Sequence, residues 1–388
     1  MKTLRMENGE RYTAARPISS AHPNPKKPLV FVRGAARHID QMPLKTPAQL
    51  GYAMPAEWTP HEATWLSWPH RSGISFPGCY DRVIPTFVKM ATALAESEIV
   101  RINVKDASQE AEVRRALNGA PPERIEFHHI PTNEPWCRDH GPIFVTRKES
   151  PRVAIVDFGY NAWGWKYPPC DDDDEVPVHV GNKLGIEVFD CSDFILEGGS
   201  IDVNGEGALL TTESCLLNPN RNPDLTREEI EQRLRDFLGI KTIIWLGDGI
   251  EGDDTDGHVD DLTRFVGPNT VVTVVEEDES DSNYEALQEN LSRLRAVELK
   301  KDEPLEVLTL PMPTKVVRDG QRLPASYANF YIANEVVLLP VFGERNDAWA
   351  KSVLEGSFPT RKIVPIDCRE LIWGLGAFHC LTQQQPKG

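Results

Sequence analysis

Long apolar runs are missing from this chain. No stretch approaches the roughly 18 residues that would suggest a membrane span, and the N-terminus lacks the apolar stretch of a secretory signal. Paired cysteines are missing too. Cys79, Cys137, Cys170, Cys191, Cys215, Cys368 and Cys380 are odd in number and scattered, with no C-x-x-C pair, which argues against a disulfide framework and against structural zinc. Nor is there a basic stripe that could track phosphates, and 42 basic against 59 acidic side chains leave a net charge of −17, so nucleic acid is a poor partner. These absences point to a cytoplasmic protein that engages neither membrane nor nucleic acid.

What is present is uneven. Residues 1–50 hold nine Lys/Arg and three Asp/Glu, so the rest of the chain carries −23, a charge that suits a cationic ligand. That first segment, with "AHPNPKKP" and few periodic apolar residues, reads as a poorly ordered extension, the alternative being an Arg-rich, acid-poor transit peptide. Residues 51–388 read as the folded domain. There, "TREEIEQRLRDFLG" has the pattern of a capped helix: Thr226 three residues before Glu229, then Ile230, Leu234, Phe237 and Leu238 on one face, and Gly239 at the end. "SNYEALQENLSRLRAV" repeats it, with Ser282 and Glu285 as the expected cap. Between helices lie β-like runs such as "PIFVTR", "RVAIVDF", "TIIWL", "NTVVTVV" and "KIVPI". Paired strands punctuated by single helices make a mixed α/β protein.

Polar tracts recur among these elements. Asp139, Glu197, His258, Asn329 and Cys380 are 58, 61, 71 and 51 residues apart, a period near 60 that suggests repeated modules around a shared centre. The densest tract, 247–261, has seven acidic residues in fifteen and no basic one. Its Asp256-x-His258-x-Asp260 spacing matches that of dimanganese ureohydrolases, but the second acidic tract such a metal pair needs is not supplied by Asp171–Asp174, which reads as a solvated loop. The metal-free use is a carboxylate, Asp260, gripping a planar guanidinium beside His258 as proton carrier. Cys380 is the candidate nucleophile. A free Cys is usually a small buried hydrophobe, but the Gly-rich approach and the polar Thr-Gln-Gln-Gln exit argue for an exposed turn. Trp136 and Asp139 offer an aromatic face beside a carboxylate, and Glu197 precedes a Gly pair where backbone could approach a ligand.

Taken together, "MPAEWTPHEATWLSWPH", "NEPWCRDHGPIFV", "LEGGSIDVNGEGALLTTESCLLNPNRNP", "GDDTDGHVDDLTRFV", "LPASYANFYIANEVVLLP" and "HCLTQQQP" resemble the agmatine deiminase and bacterial peptidylarginine deiminase family of the guanidine-modifying superfamily. The resemblance implies a pentein fold: a five-bladed pseudosymmetric α/β propeller of ββαβ-like modules around a central active site. It implies Cys380 as nucleophile, His258 as general acid/base, Asp139 and Asp260 as guanidinium clamps, and Trp136 and Glu197 as substrate-pocket residues, with no metal or organic cofactor. The implied substrate is a small cationic guanidine, agmatine first, peptidyl-arginine second and free arginine third. A guanidinium-binding protein without turnover is the non-enzymatic alternative, and homo-oligomerisation stays open. Two stretches depart from the family pattern, "RSGISFPGCY" and "GLGAF" before His379-Cys380, and His140 stands where many members have another residue.

Overall fold

The computed structural model describes residues 45–300 and 303–388. Of the extension expected over residues 1–50, residues 1–44 lie outside the described residues. Ala48–Leu50 form a single turn closed by Gly51 at φ 85°, and Arg147 Nη1 donates to the Leu50 carbonyl at 3.0 Å, so these last residues belong to the folded body.

One arrangement repeats five times. An antiparallel strand pair is followed by a helix, and the chain returns as a strand parallel to the second member of the pair. The second module shows it plainly: Ile143–Thr146 pairs antiparallel with Val153–Gly159, the helix Val176–Leu184 crosses over, and Glu187–Ile195 returns parallel. The third uses Asp202–Val203, Ala208–Thr212, Arg227–Leu238 and Thr242–Leu246. The fourth uses Thr263–Gly267, Thr270–Val275, Tyr284–Arg295 and Glu306–Pro311. The fifth uses Tyr331–Ile332, Val336–Val341, Asn346–Ser357 and Lys362–Asp367. The first module is closed by the chain's two ends. Its opening strand is the C-terminal Thr382–Pro386, antiparallel to His61–Ser67, and Tyr80–Ala95 leads to Ile99–Val104, parallel to His61–Ser67.

Local chemistry explains most of these elements. The helix Arg227–Leu238 carries the full capping box of Thr226 and Glu229 and stops at Gly239, φ 68°, where a left-handed residue satisfies the last carbonyls. Ile230, Leu234 and Leu238 are buried on one face. Two expectations change. The helix Tyr284–Arg295 has no side-chain cap, because the Ser282 hydroxyl turns to Glu251 and Asn283 Oδ1 accepts from the Glu251 N–H. Asp171–Asp174 is not a solvated loop but a helical turn. Asp173 is buried there and accepts from the Asn133 N–H at 2.8 Å, so one carboxylate of the four serves backbone that would otherwise be left unpaired.

Each functional tract sits just ahead of the first strand of a module. Asp139, Glu197, His258, Asn329 and Cys380 precede the strands starting at Ile143, Asp202, Thr263, Tyr331 and Thr382 by two to five residues. Equivalent positions in five modules thus deliver their side chains to one centre. No helix among the described residues is long and apolar enough to cross a membrane.

Candidate active site

Cys380 lies in the helical turn Phe378–Leu381, and Asn329 builds that turn. Its Oδ1 accepts from the N–H groups of Ala377, His379 and Cys380 at 3.1–3.3 Å, while its Nδ2 donates to Cys380 Sγ and to Asp261 Oδ1, both at 3.0 Å. The expected exposed turn is in fact buried, with Cys380 only 5 % exposed. The polar exit misleads because Thr382–Pro386 is an interior strand. Gln383 donates to the Pro142 carbonyl, Gln384 accepts from Arg138, and Gln385 accepts from Trp65 and Arg101. Glutamines that each hold a hydrogen bond inside the protein can be buried.

Asp260 stands beside the thiol, and Asp139, His258 and Glu197 follow it in a chain of close contacts. Asp260 Oδ2 lies 3.6 Å from Cys380 Sγ and 2.7 Å from His379 Nδ1. Asp139 Oδ1 accepts from the Gly199 N–H and Oδ2 from the Trp163 indole, each at 3.0 Å. His258 is fully buried, with Nδ1 3.6 Å from Asp139 Oδ1 and Nε2 3.9 Å from Glu197 Oε2. Glu197 Oε1 is held by Arg221 Nε at 2.7 Å. Gly199 permits this crowding: a Cβ there would come within 2.5 Å of His258 Nδ1 and 2.7 Å of Asp139 Oδ1. Four buried polar atoms here have no hydrogen-bond partner among the described residues: Asp260 Oδ1, Glu197 Oε2 and both His258 nitrogens.

Burial and charge set the protonation. Burial would lower His258, yet Asp139, Cys215 and Glu197 push it well above the usual imidazole range. Burial raises Asp139 to about 6, with His258 opposing and Asp260 and Glu197 adding to the rise. Asp260 is lowered despite burial because His379, His258 and Arg264 favour its anion, and its neighbour Asp261 is pushed up by burial and by Asp260. The Cys380 thiol is pushed well above its normal range by burial, then by Asp260, Asp261 and Asp139.

Beneath the site runs a buried ion-pair network. Glu57 Oε2 receives His379 Nε2 at 2.8 Å, Arg264 at 2.9 Å and Arg138 at 3.1 Å, and Arg264 also grips Asp202 at 2.5 Å. Against burial, Arg264, His379 and Arg138 hold Glu57 well below the ordinary carboxylate range. His379 therefore ties Asp260 to this floor.

A cavity of about 180 Å³ opens onto Asp139 and Cys380. Trp136 lines it, its indole N–H donating to Ser75 Oγ at 2.8 Å. Glu197 is not on the lining but sits beside His258. His140 is also off it, buried and lowered to about 4 by desolvation. Both departing stretches do reach it, through Ile74, Ser75 and Pro77 and through Gly374, Leu375 and Gly376.

The D-x-H-x-D spacing does not assemble a metal pair. Asp256 sits at φ 68° and faces Arg221, Lys166 and Asn220 instead. Among the described residues, two buried sets do bring donor atoms within 4.8 Å of one another: Glu197, Cys215 and His258, and Asp260, Asp261 and Cys380.

Sequence reasoning missed Asn329 as an organiser, His379, Trp163 and the Glu57–Arg138–Arg264 floor. Asn329 had a signal, since it completes the near-60 spacing. Trp163 had none: its partner Asp139 is 24 residues away.

The comparisons with known proteins fit this geometry. A profile of the Porphyromonas-type peptidyl-arginine deiminases matches residues 53–386. A Legionella pneumophila (strain Paris) protein, provisionally named an agmatine deiminase, is 39% identical over 343 residues, 88% of this chain and 97% of that one. The structure of the agmatine deiminase of Enterococcus faecalis, described as catalysing its reaction, superposes with a TM-score of 0.83 at 36% identity, covering 89% of this chain and 99% of that one. A cysteine-to-serine variant of C. jejuni agmatine deiminase with substrate bound gives 0.79 at 33% identity, over 87% and 97% of the two chains.

Proposed function

The chain belongs to the Porphyromonas-type peptidyl-arginine deiminase family, and from that membership we propose that it hydrolyses the guanidinium of agmatine to N-carbamoylputrescine and ammonia. The observation that carries this reading is the group of unpartnered buried polar atoms, Asp260 Oδ1, Glu197 Oε2 and the His258 nitrogens, which adjoin Asp139 and an Asp260 whose Oδ2 lies 3.6 Å from Cys380 Sγ. A planar cation with N–H donors pointing outward is the shape that satisfies the carboxylates. The names of the Legionella and Enterococcus relatives support agmatine.

A guanidinium carbon is resonance-stabilised and a poor electrophile, so it must be held and polarised. Asp139 and Asp260 hold its nitrogens. Its positive charge offsets the acids that disfavour the Cys380 thiolate, so the thiol gives up its proton to solvent as the cation binds, and the thiolate adds to the carbon, forming a C–S bond. His258, protonated at rest, gives its proton to the departing nitrogen, which leaves as ammonia. The covalent thiouronium is then attacked by water, whose proton returns to His258 as the C–S bond breaks and the ureido product forms.

The family name itself favours a second substrate, arginine within a peptide. Free arginine suits the cavity least: its lining holds Glu134, Asp139 and Asp254 but no Lys, Arg or His to meet an α-carboxylate. Such a product suits a role in putrescine formation. All seven cysteines are unpaired, which suits a reducing, cytoplasmic setting.

The test is an assay of ammonia, urea and ureido product with agmatine, a blocked arginyl peptide and free arginine, with and without chelator. We expect ammonia and ureido product in equal amounts, unaffected by chelator, with agmatine leading in kcat/KM by about tenfold or more. Chelator-sensitive urea would overturn the reading, and no turnover at all would leave a binding protein.

A further inference from the structure

We propose that Leu375 selects unbranched alkyl-guanidines over guanidines attached to a peptide backbone, an inference that rests on the deiminase reading above. Leu375 lines the cavity mouth with Ile74, Pro77, Leu323 and Trp373. It stands at φ 71°, a left-handed conformation that a glycine or asparagine adopts readily and a leucine adopts at a cost. The chain on either side has no slack. A Cβ on Gly374 would lie 2.5 Å from the Phe76 ring and 2.9 Å from Trp136; one on Gly376 would lie 2.7 Å from Trp136 and 3.1 Å from Cys380 Sγ. The backbone is thus pressed against Trp136 and the nucleophile, and the Leu375 N–H closes the turn on the Ile372 carbonyl at 2.9 Å. A strained residue at such a place points to a role for its side chain.

Two of the acids on the lining, Glu134 and Asp254, already hold hydrogen bonds. Glu134 accepts from the N–H groups of Ile74 at 2.8 Å and Ser75 at 3.1 Å and from the Ser75 hydroxyl. Asp254 accepts from the Tyr167 hydroxyl. An alkyl chain passing Leu375 loses no hydrogen bond. A peptide backbone brought to the same place leaves its amide groups against apolar side chains, which is unfavourable.

The experiment compares wild type, Leu375→Gly and Leu375→Asn, measuring kcat and KM for agmatine and for a blocked arginyl peptide, and the inhibition constant of methylguanidine, which has the headgroup without the chain. Both variants should raise KM for agmatine more than they lower kcat and reduce its lead over the peptide about tenfold. Methylguanidine inhibition should stay within about twofold, since the floor is untouched. Thermal unfolding should show both variants folded, the relief of left-handed strain offsetting part of the core contact that Leu375 makes. A substrate ratio unchanged in both variants would overturn the proposal. If wild type turns over no guanidine, the deiminase reading fails, and this inference goes with it.

Discussion

Behind the cavity's lining, in the floor that His379 ties to Asp260, charge is packed against charge. Glu57, Arg138, Arg264, Asp202, His379 and Asp260 form a continuous buried network in which each guanidinium faces at least one carboxylate and His379 bridges Glu57 to Asp260. At the mouth, Ile74 is 51 % exposed and the lining alternates Pro77, Leu323, Trp373 and Leu375. The floor has one arrangement that satisfies its charges, so it can hold Asp260 rigidly. The mouth is bounded by non-directional contacts and can change without disturbing the chemistry. Reaction type belongs to the first region and substrate choice to the second.

Four changes sharpen or break that contrast. Replacing the nucleophile at the boundary should have the largest effect: Cys380→Ser should lose roughly 10⁴-fold or more in kcat, as for other covalent nucleophiles. Ammonia release near the wild-type rate would remove Cys380 from the mechanism. Next comes Arg264→Met, which leaves Glu57 and Asp202 facing each other without their shared cation. Breaking a buried pair on one side costs about 3–5 kcal/mol, readable as a lower urea midpoint, and Asp260 should lose its setting with it. A change under about 1 kcal/mol would show that the floor is not rigid.

A smaller effect separates electrostatics from shape. Asp139 stands at about 6 in the free protein and must be ionised to grip a cation, so kcat/KM should fall as pH drops through that value. The Trp163 indole favours the anion. Trp163→Phe removes that donor, raises Asp139 further and should move the acidic limb to higher pH. A limb that moves down or stays put would show that Asp139 does not set it. Smallest is Ile74→Ser at the rim, expected to shift stability by no more than about 0.5 kcal/mol and to act on KM rather than kcat. A large loss of kcat there would erase the distinction between mouth and floor.

The strands "RVAIVDF" and "NTVVTVV" were legible because they are buried on both faces and read as apolar runs. Glu187–Ile195 was not, since its residues are mostly part-exposed. Nor was Thr382–Pro386, whose buried residues are polar. The D-x-H-x-D spacing misled for a related reason: Asp256 is two residues from His258 but belongs to the ion pairs of Arg221 and Lys166.

The sequence by itself determined which residue types were available and their order: a cysteine, a histidine and carboxylates at a spacing near 60, each just ahead of a strand. That much is local, because turns, caps and apolar periodicity act over a few residues. Only the tertiary structure decided that Asp139 meets Trp163, that His379 joins Asp260 to Glu57 across 322 residues, and that the thiol is buried rather than exposed. Those outcomes depend on desolvation and on partners brought together by five modules closing on one centre, and neither quantity is carried by any short stretch of chain.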